Sequence, residues 1–307
     1  MNENRSLLQA GAEIARRNKR YVVWFYLLNL LLAWWGAVAF GNSAHRILDN
    51  SLYADRLLHG MDITVLGELF ADPKFGPAAA PGAASTRFAL VFFLISLLFM
   101  PGVLLGYASD HRISREEFFR ACGHNLWRFL RLLCLFVLIG GIAIGVLSGI
   151  QSGVVQAADR TSNERLPVIL WLVCFAIILL VATALRAWFD LAQIDTVLRD
   201  QPAVRKSVAA GFRTARLNWG RLLANYVAIA LAAAAILVAG ILLWHAIVPP
   251  SSVFGAFLIS QLTLLLLLAM RFWQRATAVA YYMRYAAEAA PSRQSVPGIS
   301  SQPIPIS

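Results

Sequence analysis

Charged side chains that close two of the apolar segments are the residues of this chain best placed to do chemistry. Arg186, Asp190, Gln193, Asp195 and Arg199 end one such segment, and Arg271 and Arg275 end another. Charge beside hydrocarbon is costly unless it is paired. Arg186, Asp190, Asp195, Arg271 and Arg275 therefore suggest an interhelix charge pair or an ion path. Asp190 lies two residues after Trp188 and Arg275 two residues after Trp273, with opposite signs, so an Asp190 to Arg275 pair is the expected lock between the two ends. Proton or ion passage is the sharper use of the same residues, but their place at the interface, where charge is cheap, favours the lock.

A second set is basic and amphipathic. Ser114 and Glu117 form a capping box, after which Phe118, Phe119, Cys122, Leu126, Phe129 and Leu130 share a helical face with Arg120 and Arg128 beside it. Downstream, Pro202 opens a stretch in which Val204, Val208, Phe212, Ala215 and Trp219 share a face, flanked by Arg205, Lys206, Arg213 and Arg216. Helices of this kind lie in the membrane interface, where each basic group attracts anionic lipid by about 1 kcal/mol. Contact with anionic lipid is thus expected of Arg120, Arg128, Arg205, Lys206, Arg213 and Arg216. Ordinary topological charge accounts for the same residues more simply. Nucleic-acid binding is excluded, because the basic groups are spread over separate segments and not gathered on one soluble face.

Other chemistries find no support in the residue pattern. His45 with Asp49, and Asp55 with His59 and Asp62, have helical spacing that zinc would accept, but Gly60 interrupts it and a solvated helix face is the expectation. Gly145 to Gly149 is not a nucleophile elbow, there is no P-loop, and His245 is the only histidine the apolar spans offer to Ser148. Asn29, Asn225 and Gln261 are the mid-span polar residues, expected to bond between helices. The chain reads as non-enzymatic, with no metal and no cofactor.

The elements that must position these residues follow from composition. The chain has 307 residues, of which 59% are hydrophobic and 14% charged, and its mean hydropathy is positive. That is too apolar for a soluble globule. Charge-free runs cover 21–40, 88–109, 132–158, 166–185 and 222–270, each long enough for a helix to cross about 30 Å of hydrocarbon. As one helix the last would reach about 73 Å, so it is two spans broken at Pro249, Pro250, Ser251 and Ser252. The expected fold is an all-α, polytopic transmembrane helical bundle of six spans, at about 21–40, 88–109, 132–153, 166–188, 222–246 and 253–275. These make one domain over 1–290. An outer loop over 41–87 has short helices at Ala44 to Leu58 and Ile63 to Phe70, and a disordered cytoplasmic tail covers 291–307.

Sidedness comes from the basic residues. Of the 27 Lys and Arg, only Arg46, Arg56, Lys74, Arg87, Arg160 and Arg165 fall on the side away from the N-terminus. Basic residues are retained in the cytoplasm, so both termini are cytoplasmic. A cleavable signal peptide is the rival reading of the N-terminus, disfavoured by a long run made bulky by Trp34 and Trp35. The cysteines, Cys122, Cys134 and Cys174, place no pair in an oxidising compartment, and disulfides are not expected.

The spans form three hairpins. The second and third look like copies: Phe119, Arg120, Asn125, Trp127 and Arg128 match Phe212, Arg213, Asn218, Trp219 and Arg221, and Ala184 to Trp188 match Ala269 to Trp273. The first hairpin fits loosely, with Tyr107 where the others have tryptophan. Gly141, Gly145, Gly149 and Gly153 in span three, and Ala224, Ala228, Ala232 and Gly240 in span five, form small-residue stripes that imply inner helices. Leucine-rich span six is expected to face lipid. Pro101 and Gly102 should kink span two, for static packing more than for a gate.

The stretch Trp188, Phe189, Asp190, Leu191, Ala192, Gln193, Ile194, Asp195, followed by a basic amphipathic helix and another span, resembles a motif of uncharacterised bacterial multi-span proteins. It is also similar to the membrane domain attached to some bacterial glycerophosphodiester phosphodiesterases, whose catalytic domain this chain lacks. The resemblance covers a minority of the chain. It implies a bacterial inner-membrane setting, with the lipid bilayer as partner, and no defined substrate. Only Lys19, Lys74 and Lys206 among the basic residues are lysine, in keeping with a GC-rich bacterial genome. An interaction or scaffold protein whose cytoplasmic helices engage anionic lipid is the leading expectation, a small-molecule or lipid transporter the alternative, and an intramembrane enzyme the third.

Overall fold

The computed structural model describes residues 6–48, 81–109, 111–159, 165–249 and 252–289. Within them the chain is helical, with no strand. In order, the helices are α1 (Leu7–Arg17), α2 (Lys19–Leu48), α3 (Pro81–Ala108), α4 (Arg115–Asp159), α5 (Arg165–Leu198), α6 (Val204–Leu217), α7 (Trp219–Ile247) and α8 (Val253–Ala289). Five of them, α3, α4, α5, α7 and α8, are long and apolar enough to cross a membrane. Most of the outer loop, including Asp49, Asp55, His59 and Asp62, and the tail 291–307 lie outside the described residues.

Local chemistry sets several boundaries. Ser6 caps α1 by accepting from the Gln9 N–H at 3.3 Å. The capping box before α4 is formed as expected: Ser114 N–H donates to Glu117 at 2.8 Å and Glu117 N–H to Ser114 Oγ at 3.1 Å. The Ser114 N–H bond also holds the Glu117 carboxyl below its ordinary range. α4 then runs unbroken for 45 residues, so the amphipathic stretch and the third apolar run are one rod.

The core sits at the end of the bundle that carries the N-terminus. Val103, Leu104 and Tyr107 of α3, Leu191 and Ile194 of α5, Leu222 and Tyr226 of α7, and Ala276, Val279 and Tyr281 of α8 are buried together there. Away from that end α4, α5 and α7 present rows of exposed Leu, Ile and Val. In a bilayer such surface faces lipid tails at no cost.

This corrects the expected packing. A Cβ at Gly141, Gly145, Gly149 or Gly153 would meet nothing within 4 Å, so that stripe touches no helix. Ala224 and Ala228 are likewise exposed, and only Gly240 is pressed, against Thr263 of α8. Spans three and five are not the inner helices. The first half of α8 does face outward through Phe254, Leu258 and Leu262, but its second half is the core. α3 continues through Pro101, which is buried. A Cβ on Gly102 would lie 2.6 Å from the Phe118 ring and 2.9 Å from Cys122 Sγ, so the Pro101 and Gly102 pair serves close packing of α3 against α4.

The hairpins are also related in a way the sequence comparison missed. Ala10, Gly11, Ala15, Arg16, Asn18 and Tyr26 recur, at one constant offset, as Ala210, Gly211, Ala215, Arg216, Asn218 and Tyr226. The contacts recur with them. Trp188 Nε1 donates to the Val208 carbonyl at 2.9 Å and Trp273 Nε1 to the Leu8 carbonyl at 3.0 Å. Gly211 lies against the Ala192 backbone, and Gly11 against Thr277. Asn18 divides α1 from α2, and Asn218 divides α6 from α7. Each closing helix thus docks on the amphipathic helix of the next hairpin, and α8 returns to α1. The first and third hairpins are the closer copies at their entry, correcting the expectation that the first fits only loosely.

Candidate functional site

Around the middle of this ring, α2, α3, α4, α5 and α8 line an open cavity of about 410 Å³. Its polar wall is Arg186, Asp190 and Gln193 from α5 with Arg271 and Arg275 from α8. The matching repeat positions therefore converge: Arg186 with Arg271, and Asp190 with Arg275. Apart from Ser96 of α3, whose buried hydroxyl has no hydrogen-bond partner among the described residues, the rest is apolar, including Phe92, Phe93 and Leu97 of α3, Phe136 of α4 and Leu268 of α8. Chain direction places these deeper in the bundle than the arginines, since α3 and α8 run toward the N-terminal end and α4 away from it.

The charges are unequally matched. Asp190 is buried, accepts from the Tyr226 hydroxyl at 2.8 Å, and has Arg186 Nε at 4.0 Å. Arg275 reaches only the Gln193 side-chain oxygen, at 3.5 Å. Arg271 makes no hydrogen bond or ion pair with any described residue. The three guanidiniums lie near enough to repel one another. The expected Asp190 to Arg275 lock is therefore not formed as a direct pair. The two face one cavity, but Tyr226 occupies the carboxylate, a partner that gave no signal in an otherwise apolar run.

Asp195 stands apart from this cavity. It is buried, accepts from Tyr282 at 2.7 Å, and lies 3.4 Å from Arg199 Nε, while Arg199 Nη2 donates to the Ala286 carbonyl at 3.1 Å. These contacts tie the ends of α5 and α8 together. Asp195 is a fastening group and not a member of one path with Asp190.

The basic amphipathic residues divide into two groups. Arg205, Lys206, Arg213 and Arg216 are all exposed, with no ion pair among the described residues. The face that α6 buries is Val204, Ser207, Gly211, Thr214 and Ala215. Phe212, expected on that face, is exposed and contacts the Trp188 ring edge-on at 5.3 Å. Small polar residues won the inner face because Gly211 and Ala192 let the backbones approach. In α4, Arg120 pairs with Glu116 at 2.6 Å on the surface. Arg128 is taken up by Asp200, which also meets His124 Nε2 at 2.8 Å. Arg128, with the help of His124, holds the Asp200 carboxyl below its ordinary range. Arg128 thus fastens α4 to the turn after α5.

Among the described residues no group of three His, Cys, Asp or Glu could hold a metal. Burial pushes the Cys122 thiol up, and it packs against the Phe99 carbonyl at 3.8 Å. A buried, protonated thiol is a packing group and a poor nucleophile. Comparison of the chain with protein-family models, with curated proteins and with solved structures gave no match.

Proposed function

We propose that this chain is a six-span protein of a bacterial inner membrane, with both termini cytoplasmic, that binds anionic lipid without catalysing a reaction. The sixth span in this reading is α2, 30 residues long and apolar through its centre. The excess of Lys and Arg on the N-terminal side supports the orientation. The observation that carries the functional reading is the cavity in which Arg186, Arg271 and Arg275 face a single carboxylate, Asp190, beneath apolar walls. Guanidinium is weakly hydrated and presents a fork of donors that matches phosphate. Basic head and apolar body are the two halves of an amphiphile site. Arg205, Lys206, Arg213 and Arg216 form an outer basic surface that holds the same leaflet without selecting a molecule.

The test is lipid-dependent melting in neutral detergent. Adding phosphatidylglycerol raises the wild-type melting temperature, since a ligand at about 100 times its Kd stabilises by about 2.7 kcal/mol. The variant Arg205→Gln/Lys206→Gln/Arg213→Gln/Arg216→Gln keeps the rise, and Arg186→Gln/Arg271→Gln/Arg275→Gln loses it. Equal rises in all three proteins would sink the cavity reading.

Transport of a small anion or lipid through the same cavity is the second reading, favoured by the meeting of charges from two closing helices at one cavity. Its signature is loss of flux in Asp190→Asn while the fold is kept. A purely binding protein shows no flux in wild type to lose.

A further inference from the structure

Resting on the reading of the cavity as an anionic-lipid site, we propose that its preferred head group is a phosphomonoester, a dianion, and not the phosphodiester of the commoner membrane lipids. Three guanidiniums and one carboxylate leave two positive charges without a protein partner. Asp190 is committed to Tyr226 and faces Arg186. Arg275 has only a long amide contact, and Arg271 has no bond to a described residue. A phosphodiester brings one negative charge and leaves one guanidinium of the cluster without a counter-charge beside its like-charged neighbours. A phosphomonoester brings about −1.5 to −2 at pH 7 and three acceptor oxygens for three forks.

The shape agrees with a head group on a chain. The arginines lie toward the N-terminal end of the bundle, and Phe92, Phe136 and Leu268 line the deeper part. Phe93, on the same wall, is exposed to the lipid side. About 410 Å³ falls within the range of small-ligand sites, enough for the head and the start of the chains, the remainder lying in the bilayer. Asp190 then acts as a charge setter: it trims the site from three positive charges to two.

The experiment uses the full chain in nanodiscs of phosphatidylcholine doped with equal phosphatidic acid and phosphatidylglycerol. Lipid retained on the protein is counted by native mass spectrometry, with inorganic phosphate as competitor in a parallel arm. Wild type retains phosphatidic acid over phosphatidylglycerol by about tenfold at pH 7.5, and the ratio falls toward one near pH 5, below the second phosphate ionisation at about 6. Arg271→Gln leaves no protein group orphaned and brings the pH 7.5 ratio toward one. Asp190→Asn, which can still accept from Tyr226, increases retention of both lipids.

Equal retention of the two lipids by wild type overturns the dianion preference while leaving the lipid site standing. Retention of neither overturns the site itself. Displacement by millimolar inorganic phosphate as effective as by phosphatidic acid overturns the lipid source in favour of free phosphate.

Discussion

Asp190 shows how a single hydroxyl decides what a buried carboxylate can do. With Tyr226 donating at 2.8 Å and Arg186 Nε at 4.0 Å, the carboxylate is held in place and offsets one of the three arginine charges around it. Removing the hydroxyl by Tyr226→Phe leaves a buried acceptor without its donor. Hydrogen bonds to charged groups contribute about 1.5–3 kcal/mol. Thermal unfolding in detergent should show a loss of that size, and an unchanged melting temperature would mean that Asp190 has another donor. Asp200 offers a test by pH. Its carboxyl titrates below the ordinary value because of Arg128 and His124. The contribution of this pair to stability is therefore complete above the unfolded value of about 3.9 and is lost as pH falls through the lower, folded value. Between pH 5 and pH 3, Asp200→Asn should lose less stability than wild type; parallel losses contradict the assignment.

At the level of helices, small residues matter where backbones meet and nowhere else. Gly211 and Gly145 look equivalent as glycines in helices, but their surroundings are opposite. A Cβ on Gly211 would lie 2.8 Å from the Ala192 nitrogen, whereas one on Gly145 meets nothing. Gly211→Val should separate α5 from α6 at a cost of about 1–3 kcal/mol. Gly145→Ala should raise stability by about 0.5–1 kcal/mol through helix propensity alone. If both destabilise, the Gly141 to Gly153 stripe is a contact surface after all. The contrast also explains what could be read from the residues. The long helices were legible because hydropathy demands them, and the capping box at Ser114 and Glu117 because its chemistry is local. The inner face of α6 was not legible. It is built from Ser207, Gly211 and Thr214, whose small size is used in place of hydrophobicity, while Phe212 turns outward onto Trp188.

For the whole molecule, the closing of α8 onto α1 makes the bundle a ring of three hairpins, and the charged ends of the second and third face one cavity. The arginines were legible as candidates from their place at the ends of apolar runs, but their convergence depends on that ring. Its clearest marker, the recurrence of Gly11 and Asn18 as Gly211 and Asn218, links the first hairpin to the third, and not the second to the third. Orientation is tested by a cysteine introduced at Ser6 or at Ser162 in a cysteine-free background. An impermeant thiol reagent applied to spheroplasts should label Ser162→Cys and spare Ser6→Cys until the membrane is broken. Labelling of both, or the reverse order, contradicts cytoplasmic termini. An anionic lipid held in the three-arginine cavity is detectable by its mass. Native mass spectra of protein released from bacterial membranes in mild detergent should show one anionic lipid mass retained by wild type and absent from Arg186→Gln/Arg271→Gln/Arg275→Gln. The same mass on both proteins, or on neither, contradicts lipid binding in this cavity.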